Sequence, residues 1–497
     1  MTTEATIERG RSGWTALSLP TEADGFLRAS DDFMESSDPA TGEPVARVRT
    51  SSQGDVDDAV TLAGAAFGRG GWPNDGAQRA RALYGFADAL RANKERLAEL
   101  LTREQGKTIH ESRLEIEGSA DMVQYYAGLA RTVYGRSITL KDEVHGVVLR
   151  EPVGVVAVIT PWNWPLTLLV RSLAPALAAG NACVVKPASL TPAITVASLR
   201  LLAEQPDLPE GILTCVVGSG SVVGDALVGH DGIDMIAFTG ETSTGVRVMK
   251  RAADGLRKVA LELGGKSPNI VFADADLEKA LAGAENAIFT TCGQICTAGS
   301  RLLVEDAIRD EFVERLAGVT EALRIGDGLD ESSQLGPVVS DGQRSKILEY
   351  VEAGTREGSL VAGGQALEGD PYDRGYYVAP AVFSELPSTS ALIREEIFGP
   401  VLTVQAFSSE DEAIAMANDT EYGLASGLWT QNLNRAWRVG RALQAGTVWI
   451  NTYHHFYTEV EVGGFKRSGI GRQQGLEGLY EFTETKHLNF DASPTLW

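Results

Sequence analysis

From Glu151 onward the chain alternates short apolar, β-branched runs with longer stretches whose apolar residues recur every third or fourth position. Runs at 153–159, 182–185, 213–217, 235–238 and 258–261 predict buried strands, and 166–179, 192–204, 222–229 and 243–253 predict the helices between them. Strands covered on both faces read as continuous apolar runs, so the series predicts a mostly parallel α/β sheet. A second alternation follows Gly264, with strands at 269–272, 301–304, 401–407 and 447–451 and helices at 277–291, 308–323 and 410–418. Upstream, 55–69, 76–105 and 111–134 carry Ala, Leu, Arg and Glu at helical spacing. The segment 137–150 and the tail after Gly475 fit neither core and are expected to act as arms toward another subunit.

At 497 residues the chain exceeds one ordinary core, so two or three domains are expected. The formal charge of −23 argues against a nucleic-acid partner, which would need clustered Lys and Arg. The N-terminus has neither the basic nor the apolar region of a signal peptide. The most apolar region, 153–185, is interrupted by Pro161, Asn163, Pro165, Arg171, Pro175 and Asn181, and so reads as buried core, not a membrane span. Four cysteines are too few for a disulfide scaffold in so long a chain, which points to a reducing cytoplasm. Cys183 and Cys215 lie in apolar runs and read as inert core thiols. Cys292 and Cys296 lack a nearby His or a second ligand pair, so no metal site is expected.

Chemistry concentrates in a few motifs. Cys296 lies in the small-residue stretch Cys292-Gly293-Gln294-Ile295-Cys296-Thr297-Ala298-Gly299-Ser300, which can leave a thiol accessible. Upstream, Glu262 stands in Leu261-Glu262-Leu263-Gly264-Gly265-Lys266, where glycines allow close approach. Together they suggest a covalent thiol catalyst with its own base. Phe238-Thr239-Gly240-Glu241-Thr242-Ser243-Thr244-Gly245 joins a strand to a helix, which suits a pyrophosphate but taken alone reads more readily as an ordinary capped helix. Lys186 ends a strand, where it is either a ribose or phosphate ligand or a surface lysine. Asn163, in Thr160-Pro161-Trp162-Asn163-Trp164-Pro165, is either an oxyanion donor or a helix cap. In Glu395-Glu396-Ile397-Phe398-Gly399-Pro400, a carboxylate for ribose hydroxyls with a ring beside it competes with a solvated acidic pair.

In this order and combination the motifs resemble those of the aldehyde dehydrogenase superfamily, from Asp38-Pro39-Ala40-Thr41-Gly42 to Thr485-Lys486. The resemblance implies a Rossmann-type nucleotide-binding domain over 1–133 and 151–264. It implies an α/β catalytic domain over 265–474 and an oligomerisation β-arm over 134–150 and 475–497, serving a homodimer or homotetramer. The implied activity is oxidation of an aldehyde to the acid with NAD or NADP. Cys296 would then be the nucleophile, Glu262 the general base and Asn163 the oxyanion donor. Lys186 would hold the adenosine ribose, Gly240 and Glu241 the pyrophosphate, and Glu396 the nicotinamide ribose with Phe398 alongside. Ser189, Gly245 and Trp162 complete the expected cofactor set.

Three departures from the family pattern modify these expectations. Where many NAD-dependent members have Glu three residues after the lysine, this chain has Ser189, which implies that NADP is tolerated. A Lys and a Glu near the family's proton path are Ser172 and Gln473 here, which implies a rearranged relay. Pro-Phe-Gly-Gly is Glu461-Val462-Gly463-Gly464. Val462, with Trp164, Leu168, Ile295, Thr297 and Phe456, is therefore expected to line a widened apolar tunnel for a medium aliphatic or aromatic aldehyde. Two rivals are a CoA-acylating member, against which Glu262 argues, and a non-catalytic protein of the same fold, against which the intact Cys, Glu and Asn argue.

Overall fold

The computed structural model describes residues 32–141 and 143–492, with the backbone of two short strands at 17–18 and 27–28. The start of the 1–133 segment, the N-terminus read for a leader and the last residues of the 475–497 segment lie outside the described residues.

Two seven-stranded sheets organise the chain. In the first, Val155–Ile159 lies between Ala182–Lys186 and Met235–Thr239, all parallel. The chain builds outward through Leu213–Val216 and then crosses back to Met235–Thr239 and Lys258–Glu262 on the other side. That reversal creates a crevice beyond the carboxyl ends of the strands, the usual ligand position in open parallel sheets. Asn163, Lys186, Gly240 and Glu262 all lie at or just beyond those ends. Gly469–Ile470 returns late in the sequence to close the Glu262 edge antiparallel, pairing Gly469 with Glu262.

The second sheet runs in the order Ser359–Ala362, Ala381–Ser384, Val401–Phe407, Arg301–Glu305, Pro268–Val271, Ala425–Trp429, Thr447–Ile450. Only its first pair is antiparallel. The cysteine loop leads directly into Arg301–Glu305. A three-stranded antiparallel sheet joins Arg136–Lys141, Val144–Pro152 and Thr483–Asp491.

Several expected elements shift for physical reasons. The single helix expected over 76–105 is two, Gly76–Ala92 and Lys94–Gln105, divided at Asn93, whose φ of −107° and ψ of 15° lie outside the helical range. The helix expected over 222–229 opens with a widened turn at Gly220–Gly224. The helix expected to reach residue 291 ends at Phe289, because Thr291 and Cys292 take left-handed backbone angles. The tail after Gly475 is not free of the core. Helix Gly475–Tyr480 and the turn after it bury Leu479 and Phe482 in the first sheet's hydrophobic cluster before the arm strand begins.

Candidate active site

Helix Ile109–Leu129 supplies two brackets for the site. It starts with a capping box in which Thr108 and Glu111 exchange hydrogen bonds, satisfying N–H groups a helix start otherwise leaves open. Glu111 also accepts from the Thr291 backbone N–H at 2.6 Å and its hydroxyl at 3.1 Å. Those bonds hold a β-branched residue at φ +50°, a costly conformation. One turn on, Glu115 accepts from the N–H groups of Leu166 and Thr167 at 2.9 and 3.1 Å, in place of a missing cap on helix Pro165–Ala179. Its other oxygen takes the ammonium of buried Lys107 at 2.6 Å, and Lys107 sits 3.7 Å over the Trp164 ring. The Asn163 loop and the cysteine loop are thus set from one helix.

Asn163 is buried and donates through Nδ2 to the Gln294 carbonyl at 2.8 Å, which leaves the amide's second hydrogen free. Gln294 is fixed in turn by the Thr291 carbonyl and the Val339 N–H. Cys292 gives its S–H to the Gly336 carbonyl at 2.9 Å, so it is a packed structural thiol. Cys296 is half-buried, and burial pushes its thiol up to about 11. Glu262 is buried with Oε1 lacking a hydrogen-bond partner, and burial raises its carboxyl to about 7 against the pull of Arg171 and Arg472.

The glycines after Glu262 join two halves of the site. A Cβ on Gly265 would stand 2.3 Å from the Cys296 carbonyl, and one on Gly264 would stand 2.4 Å from a Glu396 carboxylate oxygen. On the thiol side, a cavity of about 680 Å³ is lined by Asn163, Glu262 and Cys296, and by Trp164, Leu168, Ile295, Thr297, Phe456 and Val462. All six residues expected at the tunnel wall lie on this one surface.

The cofactor candidates lie elsewhere. Glu396 accepts from the Gly265 N–H at 2.9 Å, and burial raises its carboxyl to about 7. Phe398 meets Trp162 edge to face at 5.2 Å. The Gly240 N–H donates to the Glu262 carbonyl at 3.0 Å. Glu241 leads into helix Thr242–Ala253 without a side-chain cap, so the first-turn N–H groups are open to an anion. Gly245 lets that helix approach Leu263, which a Cβ would meet at 2.3 Å. Lys186 is buried with the Pro187 carbonyl as its one hydrogen-bond partner, and burial lowers it to about 8. Ser189 donates to the Gly218 carbonyl at 3.2 Å. Uncapped helix N–H groups, a buried ammonium with donors to spare and a ribose-suited carboxylate fit a dinucleotide.

Ser172 and Gln473 are buried and bonded to each other, Gln473 Nε2 donating to the hydroxyl at 3.0 Å. His454 packs against Tyr453 and Trp449 and also lines the cavity, and burial lowers it to about 4. His455 is exposed.

Part of the cavity wall comes from residues that no sequence motif marks. Gly118 and Met122 of helix Ile109–Leu129 line the cavity, as does Arg171, which had registered only as a break in an apolar run. A lone charge in a helix otherwise of buried residues was the available signal.

A model of the aldehyde dehydrogenase family matches residues 26–488. Betaine aldehyde dehydrogenase of Bacillus subtilis (strain 168) is 42% identical over 459 residues, 92% of this chain and 94% of that protein. A putative aldehyde dehydrogenase of the same organism is 41% identical over 463 residues, 93% and 92% of the two chains. The crystal structure of betaine aldehyde dehydrogenase from Staphylococcus aureus in complex with NAD+ superimposes with a TM-score of 0.92 at 37% identity, covering 95% of each chain.

Proposed function

Because the chain belongs to the aldehyde dehydrogenase family, we propose that it oxidises medium aliphatic or aromatic aldehydes to their acids through Cys296, with NAD or NADP. The observation that carries this reading is the single cavity onto which Cys296, Glu262 and Asn163 all open between apolar walls.

In this reading the Cys296 thiolate attacks the aldehyde carbon, and the second Asn163 N–H stabilises the developing oxyanion together with the Cys296 backbone N–H. Such donors act strongly in a water-poor cavity because they are already oriented. When bound, the nicotinamide supplies the hydride acceptor as the thiohemiacetal becomes a thioester. Glu262 then removes a proton from water, which attacks the thioester and frees the acid. A carboxyl held near 7 is well matched to that task at neutral pH. Its proton leaves by a path rearranged around the Ser172–Gln473 pair, which carries no charge.

Lys186, the start of helix Thr242–Ala253 and Glu396 would hold the cofactor. With Ser189 in place of a carboxylate, a 2′-phosphate meets no repulsion there, so NADP is tolerated. The cytoplasm and a homodimer or homotetramer complete the reading. Among the described residues no helix is long and apolar enough to cross a membrane.

The test is initial rates of cofactor reduction with aliphatic, aromatic and amino-aldehydes, each with NAD and NADP. Turnover that disappears in Cys296→Ala supports the nucleophile. Acceleration by CoA would favour an acylating enzyme, and no reduction with any aldehyde would favour a non-catalytic role.

A further inference from the structure

Arg171 is 8% exposed, and its Nε and Nη2 have no hydrogen-bond partner. It stands one turn after Leu168 on helix Pro165–Ala179, and both line the substrate cavity. A buried guanidinium without partners is costly, because its N–H groups have given up water and received nothing in return. Trp164 and Thr297, which line the same cavity, also hold a buried polar atom without a hydrogen-bond partner, the Trp164 Nε1 and the Thr297 hydroxyl.

The carboxylates around the cavity do not answer Arg171. Glu115 is engaged by Lys107 and two backbone N–H groups. Asp121 and Glu459 are exposed, where solvent and salt screen them. Glu262 feels the guanidinium, yet burial favours its neutral form. No carboxylate lining the cavity therefore forms a hydrogen bond to the guanidinium.

We propose that Arg171 forms an anion subsite, so that the preferred substrate is an aldehyde bearing a carboxylate or similar oxyanion at the end remote from the aldehyde. The assignment rests on the aldehyde-oxidising reading above and narrows it. A guanidinium takes a carboxylate in two parallel hydrogen bonds, which orients the substrate as well as attracting it. The apolar walls pack against the segment between the two ends. The same charge disfavours a quaternary ammonium group, so this cavity parts from the substrate named for the betaine aldehyde dehydrogenases it resembles.

The test compares para-carboxybenzaldehyde, para-methylbenzaldehyde and a trimethylammonium-bearing aldehyde in the wild type, Arg171→Lys and Arg171→Leu. The wild type should favour the carboxylate over the methyl compound by about tenfold or more in kcat/KM, the worth of a charge-assisted hydrogen bond. Arg171→Leu should abolish that ratio chiefly through KM, and Arg171→Lys should keep part of it. A wild type that prefers the methyl or ammonium compound, or a preference that survives in Arg171→Leu, overturns the subsite. Calorimetric binding of para-toluate against the neutral para-methylbenzamide to the wild type tests it without turnover or a folded variant, and equal affinity overturns it too. Absence of turnover with every aldehyde would instead defeat the oxidation reading, leaving the binding comparison to judge the subsite.

Discussion

At the scale of single residues, the proposed nucleophile and the proposed base are held in forms that the proposed cycle must change. Burial pushes the Cys296 thiol up to about 11, so the free protein carries a neutral thiol at neutral pH. The positive nicotinamide ring of a bound oxidised cofactor should lower it. Alkylation by iodoacetamide should therefore be slow near neutrality, rise toward alkaline pH, and move to lower pH when NAD is added. An unchanged profile would show that the cofactor does not activate the thiol. Glu262 behaves with the opposite requirement, since a general base works only when ionised. With its carboxyl raised to about 7, thioester hydrolysis should fall as pH drops through that value and level off above it. Glu262→Gln should retain the first burst of reduced cofactor and lose steady turnover; equal loss of burst and turnover would place Glu262 before the thioester. Asn163→Ala should cost about 2.7–4 kcal/mol of transition-state stabilisation, read as a fall in kcat.

At the scale of elements, helix Ile109–Leu129 matters because Glu111 and Glu115, one turn apart, hold the cysteine loop and the Asn163 loop. Glu111→Ala removes both anchors from Thr291 and opens the capping box, an expected loss of about 1–3 kcal/mol in stability with a matching drop in kcat. Glu111→Gln can still accept from Thr291 and should restore much of kcat; thermal unfolding beside steady-state rates separates the effects. An Ala variant with normal kcat would show that the loop needs no such support. This helix also marks what the sequence could reveal. Glu262, Asn163 and Cys296 could be proposed from sequence because each sits in a compact motif at a strand end or in a small-residue loop, although Asn163 read equally as a helix cap until the family resemblance favoured it. The cavity wall from Gly118 and Met122 was not, since its closeness to Leu168 and Cys296 arises only from packing between distant segments. Among elements, the continuous apolar runs of the first sheet were plain. Helix Asp341–Glu357 escaped notice because only Ile347, Val351 and Gly354 are buried. Strand Ala425–Trp429 was masked by Gly427, where a Cβ would come within 2.6 Å of the Tyr453 ring. The break at Asn93 is local, its side-chain amide donating back to the Ala89 carbonyl, whereas the left-handed turn at Thr291 is held by distant Glu111.

At the scale of the whole molecule, the sheet of Arg136–Lys141, Val144–Pro152 and Thr483–Asp491 presents two exposed outer strands. Every residue of Arg136–Lys141 is exposed, as is all of Thr483–Asp491 after its first residue. Ile138, Leu140, Leu488 and Phe490 are among the chain's exposed large hydrophobics. Two outer strand edges and apolar side chains together form a surface that soluble proteins seldom leave bare, because it recruits other strands and loses water favourably when covered. A second copy of this chain is the occupant expected from the resemblance to an oligomeric family, and it would explain why the tail crosses the first core, burying Leu479 and Phe482, before it extends. Replacing Leu140 and Phe490 with Glu places a charge on each outer strand while leaving the buried Leu479 and Phe482 untouched. The double variant should sediment as a monomer or dissociate at much higher concentration than the wild type. Far-ultraviolet circular dichroism should be preserved, and Cys296 should still be alkylated. Sedimentation indistinguishable from that of the wild type would mean that the arm does not carry the assembly. A monomeric wild type would mean that no assembly exists for it to carry.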